Sequence, residues 1–492
     1  MSPDPSQIAR LRESAVRRLA PVLATLRELG DLFEADGHEL ALVGGPVRDA
    51  FLGRDLTDID LTTSASPDQT QALLDQWGAA TWDIGRAFGT IGGMRHGVQV
   101  EITTYRADIY DRASRKPQVT FGDSLQEDLL RRDFTVNAMA LRLPGLEFID
   151  PSDGLSALAA RVLDTPATPE QSFGDDPLRM MRAARFTAQL GFELAPRVAA
   201  AIAVSAQSLS IISAERVRDE LVKLLLAVDP LPGLRVLVDT GLAEVMLPEL
   251  PALQLEVDEH HHHKDVYEHS LTVLRQAMAL EGARDVAGLG AVPEVSPPDL
   301  TLRLAALLHD IGKPATRKFE KNGGVSFHHH EMVGASLTRK RMKALRFSKD
   351  EIRDVTRLVE LHLRFHGYGG GEWTDSAVRR YVTDAGPLLS RLHLLTRADC
   401  TTRNQRRAAA LARTYDGLEI RITAVLEREE LDAVRPELDG NQIAQILDIP
   451  PGRVLGRAYK HLLAYRLDQG PVGYEQAAQE LRRWWAQQPE AQ

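Results

Sequence analysis

One segment constrains the fold of this chain more than any other: Leu42-Val43-Gly44-Gly45-Pro46-Val47-Arg48-Asp49, with Asp58-Ile59-Asp60 close behind. Glu39 to Val43 has the apolar content of a short strand, and Val47 to Leu52 has the character of a helix stopped by Gly53. Paired glycines between a strand and a helix let the backbone approach a phosphate closely, with helix N–H groups and Arg48 facing it. Residues two apart in a strand share a face, so Asp58 and Asp60 are expected to point one way while Ile59 packs inward. Two aligned carboxylates suit Mg²⁺, which takes one or two carboxylates together with ligand phosphates. A plain turn and two solvated aspartates is the competing interpretation. It does not explain why all these features fall within so few residues.

Three further stretches carry chemistry. Val98-Gln99-Val100-Glu101-Ile102-Thr103-Thr104-Tyr105-Arg106 alternates as a strand should, and it places Glu101 on one face. Arg131-Arg132-Asp133-Phe134-Thr135-Val136-Asn137-Ala138-Met139-Ala140 combines paired arginines with an amide; its plain alternative is a capped helix start. In Asp175-Asp176-Pro177-Leu178-Arg179-Met180-Met181-Arg182-Ala183-Ala184-Arg185-Phe186, polar residues recur every third position from Asp176 to Arg185. They are expected along one side of a helix whose first turn holds Pro177. A carboxylate and a guanidinium one turn apart can hydrogen-bond a base edge, one accepting and the other donating.

The second half has its own constellation: Glu268-His269-Ser270, then His309-Asp310-Ile311-Gly312-Lys313, then Arg397-Ala398-Asp399-Cys400. Imidazoles and carboxylates on separate helices can converge on a divalent metal. His330 and His362 are candidates for a second-metal shell, and the run His260 to His263 is expected to cap a loop beside the site.

The first four motifs, in this order, resemble the DNA polymerase β-like nucleotidyltransferases. More narrowly they resemble the class II tRNA nucleotidyltransferases, which comprise CCA-adding enzymes and bacterial poly(A) polymerases. The resemblance implies an α+β fold: a head of mixed sheet and helices, followed by a mostly α-helical neck, body and tail. It implies that Asp58 and Asp60 bind Mg²⁺ and that Glu101 helps activate the attacking 3′-hydroxyl of an RNA. Gly44, Gly45, Arg48, Arg132 and Asn137 are then expected around the triphosphate and ribose. Asp176 and Arg179 would pair with the incoming base, and Arg182 and Arg185 would reach phosphates. Asp175 stands where the family more often has Glu. Ala107 to Gly122 occupies the place of a flexible loop whose presence in the family accompanies final A addition. The second constellation resembles the HD metal-dependent phosphohydrolases, and implies a further divalent metal on His269, His309, Asp310 and Asp399.

The expected substrates are the 3′ end of tRNA, CTP and ATP. A poly(A) polymerase of the same family is the nearest alternative. An HD phosphohydrolase with the head as nucleotide sensor is another, disfavoured by the complete set of head residues.

At 492 residues and 43% hydrophobic content the chain has enough apolar matter for several cores. The expected division is a leading helix over 1–36, a head over 37–165, a neck over 166–255, an HD body over 256–425 and a helical tail beyond. Glu215 to Leu221 is expected on an amphipathic neck helix, and Ala283 to Pro298 as a loop. A single cysteine forms no intrachain disulfide, and no eighteen-residue apolar run or signal-peptide core occurs, so a cytoplasmic location is expected. The net charge of −10 disfavours nucleic acid globally, but Ala335 to Lys349 holds six Lys or Arg and no acid. In the tail, Arg453, Arg457, Lys460 and Arg466 are candidate RNA contacts.

Overall fold

The computed structural model describes residues 5–490 except 57, 79, 84, 106–121, 123, 256–264, 287–288, 321–324, 366–372, 403, 430–434 and 489. The chain forms two compact units, Met1–Met246 and Leu247–Gln492.

The first unit opens with α1 (Pro5–Leu19) and α2 (Leu23–Ala35), separated by a single 3₁₀ turn over Ala20–Val22. The apolar stripe from Ile8 to Phe33 predicts one helix; Pro21 divides it, since a proline lacks the N–H and clashes with the preceding turn. Leu26, Leu29 and Phe33 are fully buried. There follow β1 (Leu40–Val43), α3 (Gly45–Phe51), β2 (Ile59–Thr63), α4 (Pro67–Gln76), β3 (Ala80–Trp82), β4 (Thr90–Arg95) and β5 (Val98–Thr104). After α5 (Leu125–Leu130) come β6 (Ala140–Leu143), β7 (Glu147–Ile149), α6 (Gly154–Ala160), α7 (Pro169–Asp175) and α8 (Leu178–Leu190). A capping box of Ser66 and Gln69 fixes the start of α4.

The seven strands form one mixed sheet in the order β3-β4-β5-β2-β1-β6-β7. β2 and β5 run parallel, and the other neighbours are antiparallel. Strand β1 is buried throughout, as its uninterrupted apolar run requires. Gly44 lies at the turn into α3 with φ 73° and ψ −130°, a backbone conformation open essentially to glycine alone. The helix Ala214–Leu225 includes the amphipathic stretch expected in the neck.

The second unit is mostly helical. Its central helices are Val266–Ala279, Leu300–Leu308, His330–Ala344, Lys349–Leu361, Asp375–Ala385 and Leu389–Ala398. The segment expected as a loop contains an antiparallel hairpin, Gly282–Val286 with Gly290–Val295. The β-branched Val286, Val292 and Val295 outweigh the glycines and prolines that suggest a loop. The tail helices Gly440–Leu447, Arg453–Gln469 and Tyr474–Trp485 share a small core around Ile443, Leu462 and Leu481. No described helix is long and apolar enough to cross a membrane.

Candidate active site

The acids of the first unit are assembled by strand register. Asp60 on β2 pairs directly with Glu101 on the parallel β5. Neighbours at equal register share a face of the sheet, so the two carboxylates stand side by side. Asp58 precedes the first strand residue, Ile59, which packs inward at 7% exposure. The Asp60 carboxyl is raised above its ordinary value by burial first, then by Glu101 and Asp58, against the lowering effect of Arg132. Three acids crowded so that one resists ionisation is the donor set that a divalent cation relieves. These residues therefore fit a metal.

Beside the acids lies a cationic cradle. The Arg48 Nη1 donates to Asn137 Oδ1 at 2.7 Å, and Arg48 also binds its neighbour Asp49. The Asn137 Nδ2 donates in turn to Asp133 Oδ1 at 3.0 Å. Arg132 bonds Asp128, its Nη1 faces Gly44, and its buried Nε has no hydrogen-bond partner among the described residues. A Cβ at Gly44 would lie 2.9 Å from that Nη1, so the glycine keeps this corner open.

Asp133 is the hub. It accepts from Asn137, from the Phe134 N–H and from Arg182, whose Nη2 lies 2.6 Å away. Burial opposes its ionisation, but Arg182 and Asn137 outweigh that and hold its carboxyl well below the usual range. Arg182, Arg48 and Arg185 all lie against the Phe186 ring.

The helix expected to carry four polar residues on one side carries three. Asp176 ends α7 in extended conformation, accepts from the Leu178 N–H at the start of α8 and pairs with Arg216. Pro177, with no N–H to offer, precedes the helix. Arg179 donates to the Arg131 carbonyl and to Ser172 Oγ, which ties α8 to the Arg131 segment. Arg185 is buried and committed to Glu220 and Gln189, so it braces the helix Ala214–Leu225 instead of facing a ligand.

In the second unit five helices bring together His269, His309, Asp310, His330, His362 and Asp399. Their candidate ligand atoms form two groups, His269-His309-Asp399 and Asp310-His330-His362. His269 Nε2 lies 2.9 Å from Asp399 and 3.3 Å from His309 Nε2. His330 Nε2 lies 3.2 Å from Asp310. The Nδ1 atoms of His309, His330 and His362 face the carbonyls of Ala306, Phe327 and Val359. With Nδ1 donating, each Nε2 is left with a lone pair directed inward, the arrangement of a metal ligand with its ring fixed by the backbone. His362 Nε2 is buried with no hydrogen-bond partner among the described residues. Burial opposes charge on His309, but Asp310 and Asp399 push its pKa up to about 10, so the pocket calls for positive charge. These residues fit divalent metal as well.

Family models match both units. The "Poly A polymerase head domain" family model matches residues 40–164. The model "Probable RNA and SrmB-binding site of polymerase A" matches 191–253, and the HD domain model matches 266–404. An A-adding tRNA nucleotidyltransferase of Deinococcus radiodurans is 32% identical over 459 residues, covering 91% of this chain and 96% of that protein. The chain belongs to the tRNA nucleotidyltransferase family. A CCA-adding enzyme of Levilactobacillus brevis is 43% identical over 223 residues, and this match spans only about half of each protein, 45% of this chain and 53% of the relative. The crystal structure of Bacillus stearothermophilus CCA-adding enzyme in complex with CTP shares the fold, with a TM-score of 0.64 at 22% identity over 95% of this chain and 97% of that one.

Among tRNA nucleotidyltransferase features expected from sequence, the run His260 to His263 and the segment Ala107 to Gly122, apart from Gly122 itself, lie outside the described residues. Arg341 of the basic run pairs with Glu249, whereas Arg339, Lys343 and Lys349 line a cavity of about 590 Å³. In the tail, Arg457 and Arg466 pair with Glu490 and Glu437. Sequence reasoning overlooked Asp133 and Glu220. The signal for Asp133 was its place between two cradle residues; Glu220 is too far along the chain to be linked to Arg185 without the fold.

Proposed function

We propose that this tRNA nucleotidyltransferase builds or repairs the 3′-terminal CCA of tRNA from CTP and ATP with Mg²⁺. The pairing of Asp60 with Glu101, beside the Gly44-Arg48-Arg132-Asn137 cradle, carries this reading. Asp58 and Asp60 are assigned to the metal, which would supply Lewis-acid charge stabilisation. Glu101 holds the RNA 3′-hydroxyl and takes its proton. Gly44 and Gly45 admit the triphosphate, Arg48 and Arg132 supply charge, and Asn137 contacts ribose. Arg182 is held by Asp133 next to this space, and Arg185 acts as a positioning residue through Phe186. Such an enzyme would work where tRNA is matured, in the cytoplasm.

Asp176 and Arg179 are assigned to base selection. Each still has hydrogen-bonding capacity beyond the contacts described, and they flank the start of α8. Replacing either with Ala is expected to reduce discrimination among CTP, ATP, UTP and GTP by about tenfold to a hundredfold, because sites built to bond a base edge lose selectivity with their partners. Misincorporation assays with each nucleotide check this. Full selectivity with uniformly weak binding would assign the pair to phosphate.

A-addition alone is the second reading, favoured by the near full-length match to the Deinococcus radiodurans protein. The two readings differ in one observable: incorporation of CMP onto a tRNA lacking CCA.

For the HD unit the six-residue cluster supports metal-dependent phosphohydrolysis, with a phosphate or 2′,3′-cyclic phosphate at a damaged RNA end as the substrate class. Removing such a group would expose the hydroxyl that the head extends. His309→Ala combined with Asp310→Ala is expected to eliminate bound transition metal and hydrolysis while nucleotide addition persists. Elemental analysis and a phosphodiesterase screen with Ni²⁺, Mn²⁺, Co²⁺ and Mg²⁺ test this. Unchanged metal content in the variant would sink the assignment.

A further inference from the structure

Strand register extends the row of acids beyond Glu101. Glu101 pairs with Gly92 on β4, and Gly92 pairs with Trp82 on β3, so Asp60, Glu101, Gly92 and Trp82 form one row across four strands. All four project from the same face. The opposite face is covered at this end by α4, to which Thr81 is tied through Asp75. On the same face Thr62, Thr103 and Thr90 form the next row, and Gln99 with the exposed Met94 lie in the row on the other side. Trp82 is half-buried and is the one aromatic residue of these rows.

Gly92 explains how the indole lies. A Cβ at Gly92 would fall inside the Trp82 ring system, against Cε2, Nε1 and Cζ2. The ring therefore lies across β4 and extends from the sheet edge toward Glu101. Strand spacing puts the backbones of Trp82 and Glu101 roughly 10 Å apart, within the span of one nucleotide.

Sheet order then separates two flanks. The cradle groups lie on the β1 and β6 side of the acids, since Gly44 follows β1 and Arg132 and Asn137 precede β6. Trp82 lies on the other side, at β3. In phosphoryl transfer the attacking and leaving oxygens are in line, so a triphosphate on the β1 side requires its attacker to approach from the β5-β4-β3 side. That attacker is the terminal nucleotide of the RNA.

We propose that Trp82 is the stacking platform for the 3′-terminal nucleotide of the RNA primer, holding its hydroxyl at Glu101, and that Gly92 exists to let the indole lie flat. This rests on the transferase reading of the acids. Aromatic stacking suits the role because every base has a π-face, so the platform can serve a terminus whose base changes as addition proceeds.

The test is steady-state nucleotide addition by the full chain with tRNAs ending before CCA and after CC. Trp82→Ala is expected to raise KM for tRNA roughly tenfold or more while KM for CTP and ATP stays at the wild-type value. Trp82→Tyr, which keeps a ring, is expected to restore most of the loss. Gly92→Ala, which displaces the indole without removing it, is expected to reproduce the Trp82→Ala defect. A wild-type KM for tRNA in Trp82→Ala would overturn the proposal. So would a matching rise in KM for CTP and ATP, which would place the ring against the incoming nucleotide, or a defect that Trp82→Tyr does not relieve. A wild-type chain that adds no nucleotide to any RNA would instead overturn the transferase reading itself.

Discussion

Asp60→Ala is expected to lower kcat for CMP and AMP addition by at least three orders of magnitude while tRNA affinity and thermal stability stay close to wild type. Asp60 shares its register with Glu101 and feels the charge of both Glu101 and Asp58, so its loss removes the carboxylate that interacts with both of the other acids. Transition-state charge stabilisation commonly contributes several kcal/mol in such sites, and about 4 kcal/mol corresponds to a thousandfold. The crowding that raises the Asp60 carboxyl disappears in the variant, so stability is not expected to suffer. Asp58→Ala should behave in the same way, since Asp58 joins the same group from outside the strand. Single-turnover assays separate the chemical step from binding. Near-normal turnover in either variant would contradict the assignment.

Asp133→Ala is expected to destabilise the first unit by about 3 kcal/mol and to abolish addition. Removing one partner of a buried ion pair leaves an uncompensated charge, which costs about 3–5 kcal/mol. Arg182 retains a third of its side-chain exposure, which argues for the lower end. The same loss frees Asn137 from the carboxylate that orients it, and Asn137 in turn orients Arg48. The pH dependence follows in sign. The Asp133 carboxyl is depressed in the folded protein, so its contribution is complete above its unfolded pKa of about 4 and is lost as pH falls below that. Thermal denaturation against pH should show wild type losing its margin over Asp133→Asn below about pH 4. A variant as stable as wild type at pH 7 would show that Arg182 finds another partner.

Local chemistry was legible wherever it lay within one short segment. The strand, glycine turn and helix from Leu40 to Phe51 follow from an apolar run, two glycines and a proline, each acting on its own backbone. The HD cluster was legible for the same reason, since each motif marks the end or start of its own helix. Helix boundaries were less so: Asp176 and Arg179 read as one helical side, whereas Pro177 places the boundary between them. Pro21 announced a break in the leading helix that the apolar stripe concealed. What periodicity cannot convey is pairing between distant segments. The neighbourhood of Asp60 and Glu101 depends on a parallel crossover, and that of Arg185 and Glu220 on helix packing. Asp133 looks like a polar residue at a helix start, and only the fold turns it inward.

An active site that adds C, C and then A to tRNA leaves a distinct product pattern on defined primers. Extension of one tRNA ending before CCA, one ending after CC and one unstructured RNA, with each nucleotide supplied separately and together, tests it most directly. Two CMP additions followed by a single AMP on the first tRNA, one AMP on the second, and no extension of the unstructured RNA are predicted. AMP addition confined to the tRNA ending in CC, or a long A tract on the unstructured RNA, would contradict it.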